Sequence, residues 1–304
     1  MSGLAEERAP LPPPPDPAPV PARWTVLEVI KWTMARFAER RLETPRLDAE
    51  ILVAHALGLS RVQLYVQFDR PLLPDELAAI RALIKRRQAG ESVAYVVGKK
   101  EFWGLELAVD ARVLVPRPDT ETLVEEGRAR LDEAAHTDER IADVGTGSGA
   151  VALALAKVRP AAAVFAGDAS ADALAVARGN AERLGLAVTF VEGDLAAPLA
   201  VHAPFSLVVA NLPYIPTGEL AGLAPEVRAE PAQALDGGVD GLELVRRLVA
   251  QAGPLLRAGG ALALEIGFGQ APATADLLAG GGFTDVRSRR DLAGTDRVVS
   301  GVKA

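Results

Sequence analysis

Residues 141–156 read IADVGTGSGAVALALA. The stretch 140–144 predicts a short buried strand with Asp143 at its end. Gly145-Thr146-Gly147-Ser148-Gly149 then predicts a tight turn, and the alanine- and leucine-rich run behind it predicts a helix. Alternate glycines let a backbone take positive φ and let a ligand approach closely. Strand, glycine turn and helix in that order belong to an open α/β sheet, which binds ligands at the carboxyl ends of its strands.

Downstream the alternation continues. Strands are expected at 163–168, 188–192, 205–210 and 261–266 with helices between them, and a last pair at 283–289 and 297–302. The expected fold class is α/β, Rossmann-like, with a mostly parallel sheet over 118–304. No fixed-period repeat is present, which excludes a solenoid.

Upstream the pattern differs. Residues 91–117 mix valines and aromatics around Gly98 and Gly104 and predict a β-hairpin linker of short strands. Residues 23–90 predict a small helical bundle. There Trp24, Leu27, Ile30, Met34 and Phe37 keep helical spacing, Thr44-Pro45 and Gly58 start and stop a second helix, and Pro74 opens a third that ends at Gly90. Lys85-Arg86-Arg87 are expected to form a solvated helix end. Residues 1–22, MSGLAEERAPLPPPPDPAPVPA, are of low complexity and are expected to be a disordered tail.

The totals exclude several classes. Among 304 residues there is no cysteine, so disulfides, thiolate zinc sites and Cys nucleophiles are ruled out. His55, His136 and His202 are scattered, and no metal site is expected. A net charge of −7 without a basic stripe argues against a nucleic-acid binder. No apolar run is long enough for a membrane span, and the N-terminus lacks the pattern of a secretion signal. A soluble cytoplasmic protein is expected.

Four strand ends carry the chemistry. The glycine spacing is G-x-G-x-G, led by Asp143, rather than the dinucleotide G-x-G-x-x-G. An acid there repels a phosphate and suits a cationic sulfonium cofactor that also carries an ammonium; a purely structural turn is the competing reading. Asp168 ends the second strand, where a carboxylate can accept the hydroxyls of a ribose or act as a helix cap. Asp194 follows the third strand, where an adenine can lie. Asn211-Leu212-Pro213-Tyr214 ends the fourth. An amide nitrogen is a weak nucleophile, because its lone pair is delocalised. The Asn211 carbonyl and the Leu212 main-chain carbonyl can accept its two N–H bonds, Pro213 stiffens the turn, and Tyr214 offers a flat face. The competing reading is an Asn-x-Pro turn.

These residues resemble class I S-adenosylmethionine-dependent methyltransferases that act on a planar nitrogen. With RLDAEILVAHALGLSR, EFWGLELAVDARVLVPRPDTETLVE, EPAQALDGGVDGLELVRRL, LRAGGALALEIGFGQ and RDLAGTDRVV, the resemblance is to the PrmC/HemK family and covers most of the chain from Trp24 on. It implies N5-methylation of the glutamine in the Gly-Gly-Gln loop of class I peptide-chain release factors, with S-adenosylmethionine as cofactor. It further implies that Gly145, Thr146, Gly147, Ser148 and Gly149 hold the methionine part, Asp168 the ribose, and Asp194-Leu195 the adenine. The resemblance also implies that Asn211, Leu212, Pro213 and Tyr214 bind the substrate amide, with Asn211, Pro213 and Tyr214 in catalytic roles, and that Phe102 and Glu121 shape the pocket.

Two positions depart from the family's pattern: Leu212 stands where proline is commonest, and Leu195 where some relatives carry an aromatic. A folded protein substrate gives residues 23–90 a recognition role. The expected partner is the release factor, with no membrane, no direct nucleic-acid contact and a monomeric enzyme. The alternatives are methylation of a ribosomal-protein glutamine, N6-adenine methylation of DNA, and a binding scaffold without activity.

Overall fold

A computed structural model describes residues 24–304. The expected tail, 1–22, lies outside them. The described residues divide into two compact units, split between Ala82 and Leu83.

The first unit is helical. Helix α1 (Val26–Glu39) starts at Thr25, whose hydroxyl accepts from the Glu28 amide while the Glu28 carboxylate accepts from the Thr25 amide. This reciprocal cap satisfies two amides that a helix start leaves open. Helix α2 (Pro45–Leu57) begins at its proline and stops at Gly58, with φ 64°. A further helix, α3 (Arg61–Val66), is capped by Ser60. It is one and a half turns long, too short for a periodic signal in the sequence. Helix α4 (Pro74–Gln88) begins in this unit. Phe37, Leu52, Leu64 and Ile80 are fully buried.

The second unit takes the last turn of α4. Arg86 donates to the Tyr95 and Val96 carbonyls at 3.2 and 3.1 Å. Arg87 is 4% exposed and pairs with Glu226 at 2.5 Å. Lys85 and Arg86 are exposed, as a solvated helix end requires, whereas the expectation is corrected at Arg87, whose guanidinium is buried against Glu226. The linker is corrected in its first part as well. Residues 93–97 form helix α5 (Val93–Val97), capped by Ser92 and ended by Gly98 at φ 73°. Burial of Ala94, Tyr95 and Val96 overrides the strand preference of the valines. The hairpin is confined to β1 (Lys99–Phe102) and β2 (Leu105–Ala108), turning at Trp103-Gly104, both with positive φ.

A 3-10 turn, Pro118–Thr120, leads into α6 (Glu121–Ala134). The elements then alternate as β3 (Arg140–Val144), α7 (Ala150–Val158), β4 (Ala163–Asp168), α8 (Ala171–Leu184), β5 (Thr189–Glu192) and β6 (Phe205–Ala210). Next come α9 (Pro225–Arg228), α10 (Glu243–Leu255), β7 (Leu256–Glu265), α11 (Ala271–Gly280), β8 (Phe283–Arg290) and β9 (Asp296–Lys303). The sheet order is β5-β4-β3-β6-β7-β9-β8. All pairings are parallel except those of β9, which runs antiparallel to both neighbours.

Strand β6 is buried throughout. Its alternate residues serve two cores, Leu207 and Val209 on one face, Val208 and Ala210 on the other. The chain winds outward from β3 through β4 to β5, then returns to lay β6 on the other side of β3. A crevice opens at the carboxyl ends of the strands where the order reverses. Register places Val144 beside both Gly167 and Ala210, and Ala210 beside Leu264. The ends of β4, β3, β6 and β7 therefore meet along one edge.

Candidate active site

A cavity of about 210 Å³ opens at that edge, entirely within the second unit. Every cofactor or substrate residue expected from the four strand ends lines it, save Gly149 and Tyr214.

The glycine loop forms its floor. Gly145, Gly147 and Gly149 have φ of 74°, 55° and 84°, a region that side chains with a Cβ rarely enter. Gly149 sits behind the cavity and caps α7, where a Cβ would lie 3.2 Å from Ala177. Asp143 is 1% exposed. Its Oδ2 accepts from the Thr146 hydroxyl at 2.6 Å and the Ala152 amide at 3.1 Å. Burial pushes its carboxyl up to about 6 against those two hydrogen bonds, with Asp168 adding to the rise. No cationic side chain of the described residues pairs with it. Asp168 accepts from the Gly147 amide at Oδ2 and the Ser170 amide at Oδ1, both at 2.9 Å. The hydroxyl of Ser170, not Asp168, caps α8.

The third strand end is looser. Asp194 reaches the cavity rim but is largely exposed and paired with Arg247. Leu195 is buried, with φ 49°.

Asn211 follows β6. Its Nδ2 donates to the Thr120 hydroxyl at 3.2 Å. That bond directs the amide nitrogen away and leaves Oδ1 as an acceptor. No hydrogen bond among the described residues occupies Oδ1 or the Leu212 carbonyl. The segment behind Asn211 is laced in place. The Ile215 amide donates to the Leu235 carbonyl and the Gly237 amide to the Ile215 carbonyl, around an isolated bridge between Ile215 and Asp236, and Gln270 Nε2 donates to the Tyr214 carbonyl at 2.9 Å. The backbones pass so closely that a Cβ on Gly237 would lie 2.7 Å from the Pro213 oxygen.

The Tyr214 ring lies against Gly267 and does not line the cavity. Burial raises its phenol to about 12, with Glu265 adding, so it remains protonated at neutral pH. Phe102 is buried in the core with Leu123 and Leu153. Glu121 accepts from the Trp103 amide at 2.9 Å, tying the hairpin to α6. Neither lines the cavity, so the structure does not bring these two residues to the pocket.

Residues 28–98 match the family model of the PrmC N-terminal domain, and residues 141–229 that of a methyltransferase domain. A release factor glutamine methyltransferase of Geobacter sulfurreducens is 47% identical over 282 residues, covering 92% of this chain and 98% of that protein. One from Chlorobaculum tepidum is 44% identical over 286 residues, covering 91% and 97%. The chain belongs to the release factor glutamine methyltransferase family. Among solved structures, the hMettl16 catalytic domain in complex with MAT2A 3'UTR hairpin 6 matches with a TM-score of 0.54 at 15% identity, over 78% of this chain and 85% of that one. That likeness shows the methyltransferase fold alone.

The cofactor of this family member is S-adenosylmethionine, and the cavity fits it. A buried acid without a cationic partner suits a ligand with two positive centres. A Cβ on Gly147 would meet nothing within 4 Å, which leaves space over the loop. Sequence reasoning missed Thr120, Glu265 and Gln270. Thr120 reads as a helix start, Glu265 as the end of an apolar strand, and Gln270 as the cap of α11. Their roles come from neighbours 56 to 145 positions away, roughly the span of a whole domain.

Proposed function

We propose that this chain transfers a methyl group from S-adenosylmethionine to the side-chain N5 of the glutamine in the Gly-Gly-Gln loop of class I peptide-chain release factors. One observation carries the reading at the site. Thr120 holds the nitrogen of Asn211, so Asn211 Oδ1 and the Leu212 carbonyl stand together as open acceptors at the cavity. A primary amide has two N–H bonds to give. Accepting both orients the nitrogen and stabilises the positive charge that develops on it.

Bound S-adenosylmethionine supplies the electrophilic methyl carbon. Asp143 and the loop 145–149 hold its charged amino-acid part, Asp168 its ribose, and the segment around Leu195 its adenine. Pro213 stiffens the acceptor pair, and the Tyr214 ring supports it. Leu212 offers only its carbonyl, so the side chain at that position is free to differ. Exposed Val62, Tyr65, Val66 and Phe68 on the helical unit support docking of a folded protein there. The net charge of −7 favours a protein partner over nucleic acid. The reaction belongs in the cytoplasm, beside its substrate.

The test is methyl transfer from labelled S-adenosylmethionine to purified release factor, run beside a ribosomal protein and duplex DNA. Label is expected on the Gly-Gly-Gln glutamine of the release factor. Label on either other substrate instead, or on none, overturns the reading.

A further inference from the structure

Glu265 is a buried carboxyl for which the chemistry above has no use. It ends β7, one residue beyond the Leu264–Ala210 pairing, and so lies beside the start of the Asn211 segment. It is 2% exposed, and its Oε2 has no hydrogen-bond partner among the described residues. The Thr120 hydroxyl, itself 4% exposed, lies next to this carboxyl and favours its ionised form, and it accepts from Asn211 Nδ2. Three side chains from the ends of β7 and β6 and the start of α6 thus come together, with the Asn211–Thr120 hydrogen bond joining two of them.

A hydroxyl has a single proton to donate. A carboxylate only accepts, so an ionised Glu265 takes the Thr120 proton. The Thr120 oxygen is then an acceptor, and the amide of Asn211 must turn its NH2 toward it. Oδ1 faces the cavity in consequence. A protonated Glu265 donates instead. Thr120 is then free to donate to Asn211 Oδ1, and the reversed amide presents NH2 to a substrate that also brings NH2.

We propose that Glu265, acting through Thr120, is a positioning residue that fixes the polarity of the Asn211 amide. The inference rests on the reading of Asn211 as the substrate acceptor. The groups facing Glu265 are Arg297 from β9, Arg117 and Asp119 from the turn before α6, and Tyr214 after β6. Burial pushes Glu265 up to about 7, opposed by Thr120, Arg297 and Arg117 and assisted by Asp119. The relay therefore switches near neutral pH, on in the alkaline direction.

The chain contains two asparagines, Asn180 and Asn211, so side-chain 15N labelling of asparagine gives two NH2 signals. Asn180 is held by the Ala108 and Ser148 carbonyls and serves as the internal reference; Asn211→Ala assigns the other signal. From about pH 5.5 to about pH 8.5 the Asn211 signal of the full chain is expected to titrate while that of Asn180 stays still. Glu265→Gln and Thr120→Val are both expected to abolish that titration. An Asn211 signal that does not titrate, or that titrates unchanged in Glu265→Gln, overturns the proposal.

In turnover, Thr120→Val is expected to lower kcat by about ten- to a hundredfold with cofactor affinity unchanged, and Thr120→Ser to restore it. Equal loss in both variants overturns the positioning role. If the wild-type protein does not methylate release factor, the functional reading falls, and the NMR titration still decides the relay.

Discussion

The Gly147 amide donates to Asp168 Oδ2 at 2.9 Å across 21 positions of sequence. One carboxylate therefore ties the glycine loop after β3 to the end of β4, and its other oxygen accepts from Ser170 at the start of α8. A ribose placed there finds an acceptor already oriented by two amides. Asp168→Ala is expected to weaken S-adenosylmethionine binding by about a hundredfold, since it removes both the ribose acceptor and the loop anchor. Asp168→Asn keeps one accepting oxygen and is expected to fall between. Calorimetric titration reads both, and wild-type affinity in Asp168→Asn contradicts a role for the charge.

Asn211 is tested by separating binding from turnover. Among the described residues its side chain has one hydrogen-bond partner, Thr120, and contributes no bond that holds the glycine loop. Asn211→Ala is expected to change cofactor affinity less than about threefold while lowering kcat by about a hundredfold or more. Retained turnover on release factor sinks the acceptor pair.

Two glycines separate structure from binding. A Cβ on Gly241 would lie 2.2 Å from the Tyr214 carbonyl oxygen and 2.6 Å from Gln270 Nε2, on a backbone with φ 74°. Gly241→Ala must displace the segment behind Asn211, and a loss of about 2–4 kcal/mol of stability is expected together with activity. A Cβ on Gly147 would meet no protein atom within 4 Å, with φ 55°. Gly147→Ala is expected to cost about 1–2 kcal/mol through the backbone alone yet to weaken cofactor binding, because the new methyl enters the ligand's space. Thermal melts beside cofactor titrations check the pair. Equal effects on stability in both variants contradict it.

The sequence exposes what lies at the end of an apolar run. Asp143, Asp168 and Asn211 each close or follow a buried strand, and a polar residue at such a boundary stands out against its neighbours. The sheet was legible for the same reason, because parallel strands buried on both faces read as uninterrupted hydrophobic runs. Thr120, Glu265 and Gln270 carry no such contrast. Each sits where its residue type is ordinary, and its meaning depends on a partner brought close by the fold. The valines of α5 misled in the opposite sense: local preference favours a strand, while the Ser92 cap, the Gly98 stop and burial impose a helical turn. Tyr214 shows a further limit, since its position in the motif was plain but the direction of its ring was not.

Glu265 also predicts how stability varies with pH. Its carboxyl rises from 4.5 in the ordinary state to about 7 in the fold, through burial first. Between those values the folded state holds a proton that the unfolded chain has lost. Stability from this group is therefore full below about pH 4.5 and declines as pH rises to about 7. The full shift corresponds to roughly 3 kcal/mol. Glutamine has the shape of the protonated acid and does not ionise. Glu265→Gln should thus melt close to wild type near pH 5 and at a higher temperature than wild type near pH 8, with the gap opening between. Asp143 follows the same sign, raised to about 6, but is common to both proteins and cancels in the difference. Melting curves of the two proteins across that range make the check. A gap that stays constant with pH contradicts ionisation of Glu265 in the fold. A variant more stable but less active above neutral pH shows a buried charge kept at a cost in stability because the acceptor geometry of Asn211 depends on it.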